Sequence, residues 1–117
     1  MAKTSIQMEV EIATLAINLL LNAGYSITVL DEDAEVYCVK STDFDTIFNN
    51  LFWVDNGEVE GLTCELMFLR AHKGDKFSGQ LMFVGGNGCD VLADNSVSLN
   101  DVLEPCLDLA EKLAMEY

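Results

Sequence analysis

Four cysteines, one histidine and twenty carboxylates are the groups in this 117-residue chain from which chemistry could be built. Cys38, Cys64, Cys89 and Cys106 are irregularly spaced with no C-x-x-C pair, so they read as reduced and mostly buried thiols. A zinc site needs clustered Cys and His ligands, and His72 is the single histidine, so no metal is expected. Asp31-Glu32-Asp33-Ala34-Glu35 offers oxygens at alternate positions, as calcium loops do. It lacks the glycine at loop position six and carries Thr42 where a bidentate Glu would stand, so it reads as a solvated tip or an acidic contact point.

Gly85-Gly86-Asn87-Gly88 would cradle a phosphate only if a helix followed. Asp90, Val91 and Leu92 read as strand instead, and no Lys-Ser/Thr pair is present. Asn-Gly there predicts a two-residue hairpin turn. His72 lies on a basic tip with Arg70, Lys73 and Lys76, and no Ser or Cys sits in a strand-to-helix elbow. Acid–base work needs titratable groups converging in a pocket, and the acids here fall in loops and on polar helix faces. No catalytic residue and no cofactor is expected; the chain does not read as an enzyme.

The charge is the outlier. Twenty acids against six Lys and Arg leave a formal −14. A compact domain of this size is roughly 35 Å across, and duplex DNA of that length carries about 20 phosphates. The carboxylate count permits mimicry of a nucleic-acid surface, while the net charge argues against direct nucleic-acid binding. The acids that read as a working surface are Asp31, Glu32, Asp33 and Glu35 on one loop, Asp55, Glu58 and Glu60 on another, and Asp108, Glu111 and Glu116 on the last helix. They suit a partner with a basic, nucleic-acid-binding groove.

To position these groups the chain needs a sheet and a cover. Residues 61–94 alternate apolar runs with polar and glycine-rich tips, which predicts a three-stranded antiparallel meander. An N-terminal hairpin is predicted over residues 25–30 and 36–40. Helices are predicted over residues 5–23, capped by Thr4 with Gln7 and ended by Gly24, and from 41–43 to about Phe52. A third follows Asp101 and Glu104, with Pro105 in its first turn. Residues 55–60 read as a turn or loop, and Trp53 as core or as an exposed anchor. The first helix is apolar nearly all round, so it lies deep in the fold or meets a second copy in a homodimer. The expected fold is one α+β domain, an antiparallel sheet of hairpin plus meander with the terminal helices and one short helix packed on it. No segment suits a bilayer span, and Glu9 and Glu11 interrupt any leader-like apolar region, so a cytoplasmic location is expected.

Residues 80–113 contain an apolar strand (Leu81 to Val84), the Gly-Asn-Gly turn, Asp90-Val91 and a closing helix with an early proline. This segment resembles one that recurs in small acidic proteins of phages and prophages, many of which carry Trp where this chain has Cys89. The resemblance implies a mobile-element origin and, with it, inhibition of host nucleases or defence complexes of the anti-CRISPR or anti-restriction type. It transfers no functional residue. The alternative is an acidic dimeric chaperone or adaptor that takes a protein client on apolar strand edges or grooves.

Overall fold

The computed structural model describes residues 4–116. Helix α1 (Ser5–Asn22) opens with the reciprocal cap expected of Thr4 and Gln7. The Gln7 N–H donates to Thr4 Oγ1 at 3.1 Å and the Thr4 N–H to Gln7 Oε1 at 2.8 Å. It stops where Gly24 takes φ +93°, a conformation that costs glycine little. Ile12, Ala13, Ala16, Ile17 and Leu20 are wholly buried. The helix lies between α2 (Phe44–Leu51) and α3 (Asn100–Glu116), over the sheet, which covers much of its apolar girth, while Leu15, Leu19 and Leu21 stay half-buried.

Strands β1 (Ser26–Asp31), β2 (Val36–Ser41), β5 (Leu66–Lys73), β6 (Lys76–Val84) and β7 (Leu92–Asn95) form one antiparallel sheet in the order β2-β1-β5-β6-β7. Hairpin and meander join edge to edge where Val29 faces Leu69 and Ile27 faces Ala71. Side chains alternate between faces along a strand. One face thus holds Ile27, Val29, Met67, Leu69, Ala71, Leu81 and Phe83, all fully buried in the common core. The other face carries a row of Leu30, Phe68, Met82 and Asp94, set in register and outside that core.

Gly79 is where the last turn before α3 presses on the sheet. A Cβ there would lie 2.9 Å from Leu99 Cγ, closer than real Cβ atoms approach, and a tight 3.0 Å from Ser96 Cβ. Gly79→Ala is expected to destabilise by about 1–3 kcal/mol through overpacking. Thermal denaturation checks this, and an unchanged midpoint would show that Leu99 yields freely.

Three local expectations need correction. Of residues 55–60 only Asn56-Gly57 is a turn, with both residues at positive φ: β3 (Phe52–Asp55) and β4 (Glu58–Leu62) pair about it as a separate two-stranded ribbon. Two positive-φ positions are what a type I′ turn requires. Asn87-Gly88 does not make the predicted two-residue turn, since Asn87 has φ −98°. The chain instead passes through a 3₁₀ turn at Gly88–Asp90 before β7. That wider path is held by the buried Glu9 carboxylate, which accepts from Ser5 Oγ at 2.9 Å and from the Gly86 N–H at 3.2 Å. Finally, α3 starts at Asn100, so Pro105 falls inside the helix beyond its first turn.

Candidate functional site: an acidic pole

Strand directions sort the charges. β5 runs from Leu66 to the tip at Lys73, and its register with β1 puts Ser26 beside His72 and Asp31 beside Met67. The β1–β2 loop therefore lies at the end of the sheet opposite the basic tip. α1 runs antiparallel to β1, and its first turns meet the far end of β6: Glu9 holds Gly86, and Gly88 abuts Ser5 and Met8. The ribbon lies there too, with Glu58 and Val59 against Ile6, Val10 and Glu11. α3 arrives at the same end, where Leu113 and Ala114 share a cleft with Ser5, Met8 and the glycine turn.

Of the sequence-predicted acids, Glu32, Asp33, Glu35, Asp55, Glu58 and Glu60 are exposed and gathered at this end. Exposed Glu65 and Asp90 join them from the ends of neighbouring elements. These two were missed because nothing local marks a strand's end as part of a shared pole. Asp108 and Glu111 are exposed on the second half of α3, flanking a shallow hollow with Lys112 and Met115. The side chain of Glu116 lies outside the described residues.

Asp31 has a different role. It is 6% exposed, and its oxygens accept from the Asp33 N–H (2.9 Å), the Glu35 N–H (3.0 Å) and Tyr37 Oη (2.8 Å). It shapes the loop that displays its three acidic neighbours. The Tyr37 bond above all, with those backbone bonds, holds its carboxyl below the usual range against the opposing effect of burial. A lowered folded-state value adds stability that is present above the unfolded carboxyl range and lost as pH falls through the folded value. Asp31→Asn should therefore shift the acid limb of stability and leave the slope near neutrality unchanged, as pH-dependent unfolding would test. An acid limb identical to that of the parent would rule this out.

The opposite end carries Lys40, Arg70, His72, Lys73 and Lys76. Lys40 Nζ is 3.3 Å from Asp75 Oδ1, and Lys73 Nζ stands 4.8 Å over the Tyr25 ring. His72 Nε2 is 3.3 Å from Thr28 Oγ1, and its ring meets Phe77 edge-on. Burial first, then Lys40 and Arg70, lowers its pKa and favours the neutral imidazole. Among the described residues none of Glu32, Asp33, Glu35, Asp55, Glu58, Glu60, Asp108 and Glu111 forms an ion pair.

Burial pushes the Cys106 thiol up to about 11, and its Sγ donates to the Ile12 carbonyl at 3.3 Å. Burial also raises Cys38. Hydrogen bonding to Cys64 Sγ and to Asp31 raises Tyr37, which keeps its phenol protonated. Among the described residues no three His, Cys, Asp or Glu are grouped to hold a metal ion, and no helix is long and apolar enough to cross a membrane. Trp53 is 59% exposed on the ribbon. Comparison with protein-family models, curated proteins and solved structures finds no match to this chain.

Proposed function

We propose that this chain is a non-enzymatic inhibitor of phage or mobile-element type that occupies the basic, nucleic-acid-binding groove of a host defence protein with its acidic pole. One observation carries the reading. Acids from the β1–β2 loop and the ribbon, distant in sequence, meet at one end of the molecule, while four of the six Lys and Arg gather at the other. The cations there offset acids such as Asp75, so the negative charge is weighted toward the first end. It orients a cationic partner during approach and raises the association rate. On this reading the exposed carboxylates take the part of the phosphates that a nucleic acid presents to the same groove.

Affinity capture from a bacterial lysate tests this. At about 0.1 M salt charges interact over ~10 Å, and at about 1 M over ~3 Å. A captured nucleic-acid-binding protein should be released by the higher salt and displaced by duplex DNA. Capture indifferent to both would end the proposal.

A second reading, an adaptor for a protein client or a second copy, has its own observation. The sheet face away from the core carries half-buried Phe68 and Met82 beside the buried Leu30, and edge strand β2 exposes Val36 and Val39. On this reading Phe68→Arg abolishes client binding or dimerisation and neutralising the acidic loop has no effect, the reverse of what the first reading requires.

A further inference from the structure

The acidic pole contains a groove, and the two together specify a ligand more closely than charge alone. Between the start of α1 and β4 lies an open cleft of about 670 Å³ whose apolar lining is Ile6, Val10 and Val59. Ile6 and Val10 are four residues apart and so lie on one face of the helix. Val59 faces Val54 across the ribbon, and Val54 is 39% exposed, so the apolar floor continues past the groove's edge. Glu58 also lines the cleft, and Asp55 faces Glu58 in the ribbon register.

We infer that this groove seats one large aliphatic or aromatic side chain from a partner segment whose flanking residues are Lys or Arg. The inference rests on the reading of the acidic pole as the contact surface and deepens it by adding an apolar anchor. A purely cationic segment would leave Ile6, Val10 and Val59 wet, and an acidic one would be repelled by Glu58 and Asp55. A cationic segment with one apolar residue satisfies both parts of the site. Burying one such side chain should strengthen binding roughly ten- to a hundredfold. Charges at a rim chiefly set the association rate, and a buried anchor chiefly sets dissociation.

The test titrates the full ¹⁵N-labelled chain with three synthetic twelve-residue peptides. One is lysine-rich with two central leucines, the second has those leucines changed to serine, and the third keeps the leucines and changes the lysines to glutamate. The leucine–lysine peptide should bind at least tenfold more tightly than the serine–lysine one and shift the amides of Ile6, Val10 and Val59. Val59→Ser should remove that advantage while leaving serine–lysine binding as it was. Equal affinity of the first two peptides overturns the groove but spares the acidic pole, provided both bind in a salt-sensitive way. Binding of the glutamate peptide as tight as that of the lysine one, or shifts confined to Phe68 and Met82, also overturns it. If neither lysine peptide binds, the groove and the pole reading fall together.

Discussion

Changing Glu32, Asp33, Glu35, Asp55, Glu58 and Glu60 together to their amides is expected to slow association with the captured basic partner by roughly ten- to a thousandfold. The six supply nearly half of the net −14, and all are exposed at one end. None forms an ion pair among the described residues, so their neutralisation removes attraction without breaking an internal contact. The acids that build the fold are left in place. These are Glu9 beneath the glycine turn, Asp31 within the β1–β2 loop, and Asp43, whose carboxylate caps α2 through the Thr46 N–H at 3.1 Å. The variant should melt like the parent or slightly above it, because self-repulsion falls. Stopped-flow mixing at two salt concentrations reads the effect, and the salt dependence should flatten along with the rate. A rate within twofold of the parent would mean that the charge serves solubility.

The largest effect on stability is expected from Phe83→Ala. Phe83 is wholly buried on the core face of β6, in register with Met67 on β5 and Leu92 on β7, so three strands close around one ring. Truncation leaves a cavity that the sheet backbone cannot collapse to fill, at a cost of about 3–5 kcal/mol. Domains of this size have about 5–15 kcal/mol in all. The melting midpoint should fall by more than about 10 °C. Phe77→Ala provides the contrast, because that ring is 53% exposed at the basic tip and its loss should cost under about 1 kcal/mol. Equal costs for the two rings would contradict the assignment of the two sheet faces.

Much of this fold can be read from local chemistry. Thr4 with Gln7 and the positive-φ Gly24 bracket α1 as expected, and Asp43 caps α2 from within the predicted trio of candidates. The strands of hairpin and meander lie close to where alternation puts them, and the layered α+β arrangement follows from the apolar stripes of the end helices. Illegible parts depend on distant partners. The ribbon was hidden because Asp55 to Glu60 is acidic, and its pairing is supported by α1 and by the Thr63 N–H bond to Leu51 O at 2.9 Å. The path after Gly85 depends on Glu9, 77 residues away from the amide that it holds.

The candidate site was legible in composition and not in arrangement. The acidic loop and residues 55–60 stand out in the sequence, but only the register of β1 on β5 puts the loop opposite the basic tip. Asp31 was grouped with its neighbours because a carboxylate that shapes a loop and one that meets a partner look alike in sequence. The hydrogen bond from Tyr37 separates them. Glu65 and Asp90 escaped notice for the complementary reason, since each is a lone acid until the fold sets it beside the others.

The central claim is that the placement of the charge, more than its total, makes the working surface. Two variants with identical net charge test it most directly. One changes Glu32, Asp33 and Glu58 to amides at the pole, and the other changes Asp45 and Asp101, exposed on the first turns of α2 and α3, and Glu104, exposed just beyond, toward the basic end. Measured against the same basic partner at low salt, the first should lose most of its association rate and the second should keep nearly all of it. Equal losses would contradict the account, leaving net charge alone as the cause.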